Sequence, residues 1–347
     1  MPLRFVLENT MNIDAWNVIL FKSTHLFSNL EEYGAESHIA KTVFRLTIPL
    51  IVKLFQFNYL QFIFLQFCFA YFLLYFLFAF FDKKYGSKNI AALITISIGT
   101  IYFGKALLVD FRWFDGWAFL FIVFTLYTRF FILAFVFLIL GLFTDERVVF
   151  SIPILMILSS NRFDLTFFNY KSLISKKNGV IALSLIFYIL LRMILTYTYD
   201  MNVPSNAIGY EVLLDNINKR LIGMGYFTFF EGLWLFPFFY FLNYLKQRKF
   251  DIYTSLFIIY FIFNTIVVFF IYDVTRSGAY LILFVFFFID SCYKSYTREQ
   301  FKLILISSFL ICVFFPGYYT LNGIGMNNNF LNEYGYLMLK KIYLLIN

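Results

Sequence analysis

The residues able to do chemistry sit in short charged clusters: Asp110-Phe111-Arg112-Trp113-Phe114-Asp115, Thr144-Asp145-Glu146-Arg147 and Asp273-Val274-Thr275-Arg276. Asp110, Asp115, Asp145, Glu146 and Asp273 supply carboxylates. That residue type takes a proton from an attacking hydroxyl as a general base, or ligates a divalent cation. Lys105, Arg112, Arg147, Arg192 and Arg276 supply the cations that a phosphate leaving group needs beside it. An upstream polar stretch adds Glu31, Glu32, Glu36, His38 and Arg45. A purely local reading stands beside the chemical one, with Asp145/Arg147 and Asp273/Arg276 as helix caps and ion pairs at loop ends.

Several chemistries lack the residues they require. His25 and His38 have no partner at a metal-ligand spacing, so no zinc site and no metal ligands are assigned. Cys68, Cys292 and Cys312 lie in apolar segments with no paired spacing, as packing residues do. No phosphate-binding glycine loop, dinucleotide fingerprint, zinc-protease helix or nucleophile elbow is present. No cofactor is assigned, and a divalent cation held by the acids is the open option.

The elements that must position these clusters follow from composition. The chain has 347 residues, of which 61% are hydrophobic, 24% aromatic and 14% charged, with a mean hydropathy of +0.77. That leaves too little polar material to cover a soluble globule, so the expected class is all-α, a polytopic transmembrane helical bundle. The net charge of +8 comes from basic residues in short loops between apolar runs, where they orient a membrane protein. No basic stripe or recognition motif accompanies it, so nucleic acid is not an expected partner. The abundance of Phe, Tyr, Ile, Asn and Lys resembles translation of an AT-rich bacterial gene, and the bacterial inner membrane is the expected location.

A spanning helix needs about 20 apolar residues. Expected spans run over residues 59–81, 89–109, 178–199, 226–245, 252–272, 278–293 and 301–318. The stretch 117–143 reads either as one long helix or as two short ones meeting at Tyr127-Thr128-Arg129, followed by another over 148–158. Basic residues choose between these. Splitting the pair places Lys83/Lys84/Lys88, Arg129, Arg162/Lys171/Lys176/Lys177, Lys246/Arg248/Lys249 and Lys294/Arg298/Lys302 on one side, whereas an unbroken helix spoils the bias. Two short or re-entrant helices are therefore expected, giving about 9–11 membrane helices in all.

The same topology puts all the charged clusters on the extracytoplasmic face, although their acids played no part in choosing it. Lys105 and Arg192 lie in the outer halves of their helices, either aimed at that level or snorkelling to the interface. No linker or repeat marks a domain boundary. The chain reads as one transmembrane domain with an outer-face segment over 1–58, membrane helices over 59–318 and an outer-face tail over 319–347. Within the first segment, 43–57 suits a helix in the interface plane. Residues 1–58 have to lie outside, so either a start further upstream supplies one more helix, the better fit, or 15–30 enters the membrane. The loop over 200–225 is expected to carry an amphipathic helix at 211–222.

A family resemblance enters on the middle of the chain. Phe114-Asp115-Gly116, a short apolar helix, a basic turn at Arg129, a second apolar helix ending Leu140-Gly141-Leu142-Phe143, then Thr144-Asp145-Glu146-Arg147 and an apolar run through Pro153 resemble the GT-C superfamily of membrane glycosyltransferases. The similarity covers about residues 31–158. It departs from the family in lacking a first helix, a clean acidic pair in the first loop and a large soluble C-terminal domain. Short Phe-rich chains of this kind also resemble bacterial O-antigen and capsule polymerases. Both resemblances imply cell-envelope polysaccharide biosynthesis, with a polyprenyl-phosphate-linked saccharide handled at the outer face. Asp110 or Asp115, with Glu36, would then activate the acceptor hydroxyl. Lys105, Arg45, Arg112, Arg147, Arg192 and Arg276, among Asp145, Glu146 and Asp273, would line the phosphate site, and Trp113, Trp117 and Tyr272 would stack on sugar rings. The competing expectation is a transporter or flippase of a lipid-linked or small anionic substrate. That class favours internal symmetry and midplane charges, and the short pair around Arg129 fits it equally well.

Overall fold

A computed structural model describes residues 10–30, 42–109, 114–161, 174–202, 212–214, 221–247, 252–271, 273–314, 318–320 and 324–326. The fold is all-α apart from a short antiparallel ladder, β1 (Tyr318–Thr320) with β2 (Ile324–Met326). The chain divides into two compact units, 1–73 with 106–208 and 74–105 with 209–347.

The first unit contains α1 (Thr10–Thr24), α2 (Thr47–Phe55) and the start of α3 (Tyr59–Tyr85). It continues with the end of α5 (Tyr102–Val109), α6 (Asp115–Tyr127), α7 (Phe131–Leu142), a 3-10 turn (Glu146–Ser151), α8 (Ile152–Asn161) and α9 (Lys176–Tyr199). Helices α6 and α7 are separate and meet at Thr128–Phe130, as the distribution of basic residues requires. Lys177 closes the end of α6, donating to the carbonyls of Leu126 at 2.5 Å and Thr128 at 3.0 Å. Every residue of α6 from Asp115 to Val123 is buried. Its start fits only because Gly116 has no side chain, since a Cβ there would fall 2.6 Å from Leu107 Cγ.

Among the described residues two helices, α3 and α9, are long and apolar enough to cross a membrane. Their apolar side chains face outward: Leu183, Ile186, Leu190, Met193 and Tyr197 of α9 are exposed at helical spacing, which a water-soluble surface does not tolerate. A third span exists if α4 (Lys88–Thr100) and α5 count as one, although they are bent by 70° at their junction.

The second unit contains the end of α3, α4, the start of α5, α10 (Leu221–Phe230), a 3-10 turn (Glu231–Trp234) and α11 (Leu235–Gln247). After these come α12 (Ile252–Val267), a further 3-10 turn (Val268–Phe270), α13 (Val274–Ala279), α14 (Ile282–Ser295) and α15 (Arg298–Phe314). Helix α14 is the centre of this unit, buried from Ile282 to Asp290. Phe284, Phe287 and Phe288 pack there against Phe257 and Phe261. Asp290 anchors the basic end of α3 by pairing with Lys84 at 2.8 Å, and also pairs with Lys294 at 3.1 Å.

The expected spans over 226–245 and 278–293 are each interrupted. The first breaks at Glu231-Gly232, and the second is two helices, α13 and α14. Helix α15 is described as far as Phe314, and Tyr318, the end of the expected span, lies in β1. Within 43–57 the chain forms α2, which buries Ile48 and Val52 while Leu54 and Phe55 stay exposed.

Candidate functional site

In the first unit, chain segments far apart in sequence bring charged side chains to one place. The turn after α7 supplies Asp145, Glu146 and Arg147. Asp145 caps the 3-10 turn, its Oδ1 accepting from the backbone N–H of Arg147 at 2.9 Å and from Arg147 Nε at 2.8 Å. Arg147 Nη2 donates to Asp145 Oδ2 at 2.5 Å and to Asp115 Oδ1 at 3.0 Å. Both carboxylates are fully buried, so each needs this cation to be tolerated away from water.

Arg45, just before α2, closes the other side. Its Nη2 lies 3.0 Å from Asp145 Oδ2 and 3.8 Å from Glu146 Oε1. The approach is fixed by Thr47, which donates its hydroxyl to Leu140 O at 2.7 Å and its N–H to Phe143 O at 3.2 Å. From α9, half-buried Arg192 donates to Tyr188 Oη at 3.1 Å and stacks over Phe44 at 4.3 Å. Its charge reaches Glu146, yet among the described residues it forms no ion pair with a carboxylate.

The two acids of the turn differ electrostatically. Burial raises the Asp145 carboxyl above the ordinary aspartate range, against the opposing pull of Arg147 and Arg45. For Glu146, whose side chain is 38% exposed, partial burial acts upward but is outweighed by Arg45 and Arg147, which leave its carboxyl below the ordinary glutamate range. Glu146 is therefore the ionised acid that faces outward.

Of the residues singled out from sequence, Arg45, Asp115, Asp145, Glu146, Arg147 and Arg192 meet in this cluster. Asp110, Arg112, Glu36, Trp113 and Tyr272 lie outside the described residues, as do Glu31, Glu32 and His38. Lys105, Asp273 and Arg276 belong to the second unit. There Arg276 is buried and donates to Asp273 Oδ2 at 3.0 Å, a local i,i+3 pair at the start of α13. Lys105 pairs with Glu231, which the sequence reading missed. The available signal was a lone acid beside a glycine inside an apolar run.

Trp117 requires a correction. It is 2% exposed, donates Nε1–H to Gln66 Oε1 at 3.0 Å and stacks on Phe62, while Gln66 donates onward to Leu107 O at 3.1 Å. Such an indole is a core residue holding α3 to α6 and has no face left for a sugar ring. Among the described residues no group of three or more His, Cys, Asp or Glu side chains is arranged to hold a metal ion.

Fold and cluster together define an all-α membrane-type bundle with a buried, arginine-rich ion network. No family model, curated protein or solved structure matches the chain.

Proposed function

We propose that this protein is a multi-pass membrane glycosyltransferase or polysaccharide polymerase that uses a polyprenyl-phosphate-linked sugar at the extracytoplasmic face of a bacterial inner membrane. The observation that carries the reading is Arg192, a half-buried guanidinium held by neutral partners, Tyr188 and Phe44, at the edge of a network whose other arginines are matched to carboxylates. A guanidinium so held is free to bind a phosphate, for which its planar fork is suited. Glu146, half-buried and ionised, accepts the proton of an attacking hydroxyl. Asp115 and Asp145 hold Arg147 in place, and Asp110 and Glu36 are further candidate bases.

The test is the surface-glycan profile of a deletion strain complemented with wild type, Glu146→Gln or Asp115→Ala, with each variant's membrane level measured. Lost or shortened glycan chains that stable variants fail to restore support the reading. Normal glycan throughout overturns it. A second reading, a transporter or flippase of an anionic lipid-linked substrate, is favoured by the 70° break between α4 and α5 beside buried Lys105, because broken helices with buried charge recur at transport sites.

A further inference from the structure

In the second unit an acid and a base face each other away from solvent. Lys105 is 7% exposed and Glu231 2%, and Lys105 Nζ lies 3.9 Å from Glu231 Oε1, beyond hydrogen-bonding distance. Neither Lys105 Nζ nor Glu231 Oε2 has a hydrogen-bond partner among the described residues, and Ser308 Oγ of α15 shares that condition. Glu231 adopts φ 48, a left-handed conformation that non-glycine residues resist, and the surrounding packing maintains it.

The backbone next to Glu231 lies hard against α15. A Cβ on Gly232 would lie 2.1 Å from Ser308 O and 2.8 Å from Ile311 Cβ. The Lys105 ammonium repels a metal ion, whereas a proton suits a facing acid and base. Ionisable side chains buried within apolar helices are costly to keep, which makes a role in charge movement the default for such a pair.

We propose that Glu231 and Lys105 form a proton-binding site within the helical core of the second unit. The Glu231 carboxylate takes one proton from hydronium, one O–H bond forming as water is released, and Lys105 loses its counter-ion and is released to move. The inference stands apart from the saccharide reading and holds for an enzyme or a transporter alike. Among the described residues the groups acting on Glu231 are few. Lys105 faces it from α5 and Cys312 from α15. Helix α10 has no charged residue, while Lys88 of α4 and Lys246 of α11 are exposed.

The experiment is infrared difference spectroscopy of the purified full chain in lipid nanodiscs as pH is lowered from about 9 to about 6, the range over which exposed carboxyls stay ionised. Wild type is expected to show a protonated-carboxyl stretching component that Glu231→Gln lacks, any Asp145 band being common to both, and Lys105→Met is expected to move the pH at which that component appears. Identical spectra for wild type and E231Q overturn the proposal. Should E231Q fail to fold, wild type carrying 13C-glutamate decides: a labelled band that exchanges slowly in D2O is expected, and the lack of one overturns the site.

Discussion

Arg147 Nη2 lies 3.0 Å from Oδ1 of Asp115, a residue 32 positions earlier in the chain. The contact ties the turn after α7 to the first residue of α6. It is buried on both sides, with Arg147 7% and Asp115 0% exposed. The residue before Asp115, Phe114, takes φ 60, so the chain accepts a left-handed backbone where this carboxylate is presented.

Removing the guanidinium takes a cation from two buried carboxylates, Asp115 and Asp145, of which Asp145 keeps Arg45. Arg147→Met is expected to destabilise the protein by about 3–5 kcal/mol, because an uncompensated buried charge costs more than the pair contributes. Thermal unfolding in detergent measures this, and Asp115→Asn added to Arg147→Met is expected to restore part of the loss.

Glu146 gives a pH signature. Its folded carboxyl is held below the ordinary value of 4.5, so its contribution to stability is full above that value and is lost as pH falls through the lower folded one. Wild type is expected to melt above Glu146→Gln at neutral pH, and the two melting curves are expected to converge in acid. Asp145, raised by burial, acts in the opposite sense, its contribution being largest at low pH and falling as pH rises.

Arg192→Lys tests the phosphate assignment. Lysine keeps the charge but loses the planar fork that stacks on Phe44 and reaches Tyr188. Glycan output in the complemented strain is expected to fall at least about tenfold, equivalent to about 1.4 kcal/mol, while membrane level stays near wild type.

Trp117→Phe separates a structural indole from a sugar platform. The substitution removes the indole N–H that donates to buried Gln66 Oε1 and is expected to cost about 1–3 kcal/mol of stability. Glycan chain length, normalised to membrane level, is expected to be unchanged.

Gly116→Ala probes how closely α6 must approach the end of α5. The added methyl meets Leu107 N and Cγ, each 2.6 Å away, so the start of α6 has to shift and carry Asp115 with it. A loss of about 1–3 kcal/mol in stability is expected, as for other overpacked cores. Glycan output is expected to fall together with it.

Much of the architecture is legible in the chain itself. Apolar runs long enough to span, such as those of α3 and α9, declare their class because hydrophobicity over about 20 residues is a local property. The break between α6 and α7 was legible too, through basic residues that sort by side of the membrane. Acids and arginines at the ends of such runs marked the cluster of Arg45, Asp115, Asp145, Glu146, Arg147 and Arg192 because charge avoids apolar interiors. Tertiary structure alone decided which of them pair, which one faces outward and which arginine is left with neutral partners, since these depend on contacts between residues far apart in sequence. It also decided that Trp117 is buried, and that Glu231 interrupts an apolar run to meet Lys105. Periodicity and composition record how much a segment avoids water, but not which distant side chain stands opposite it.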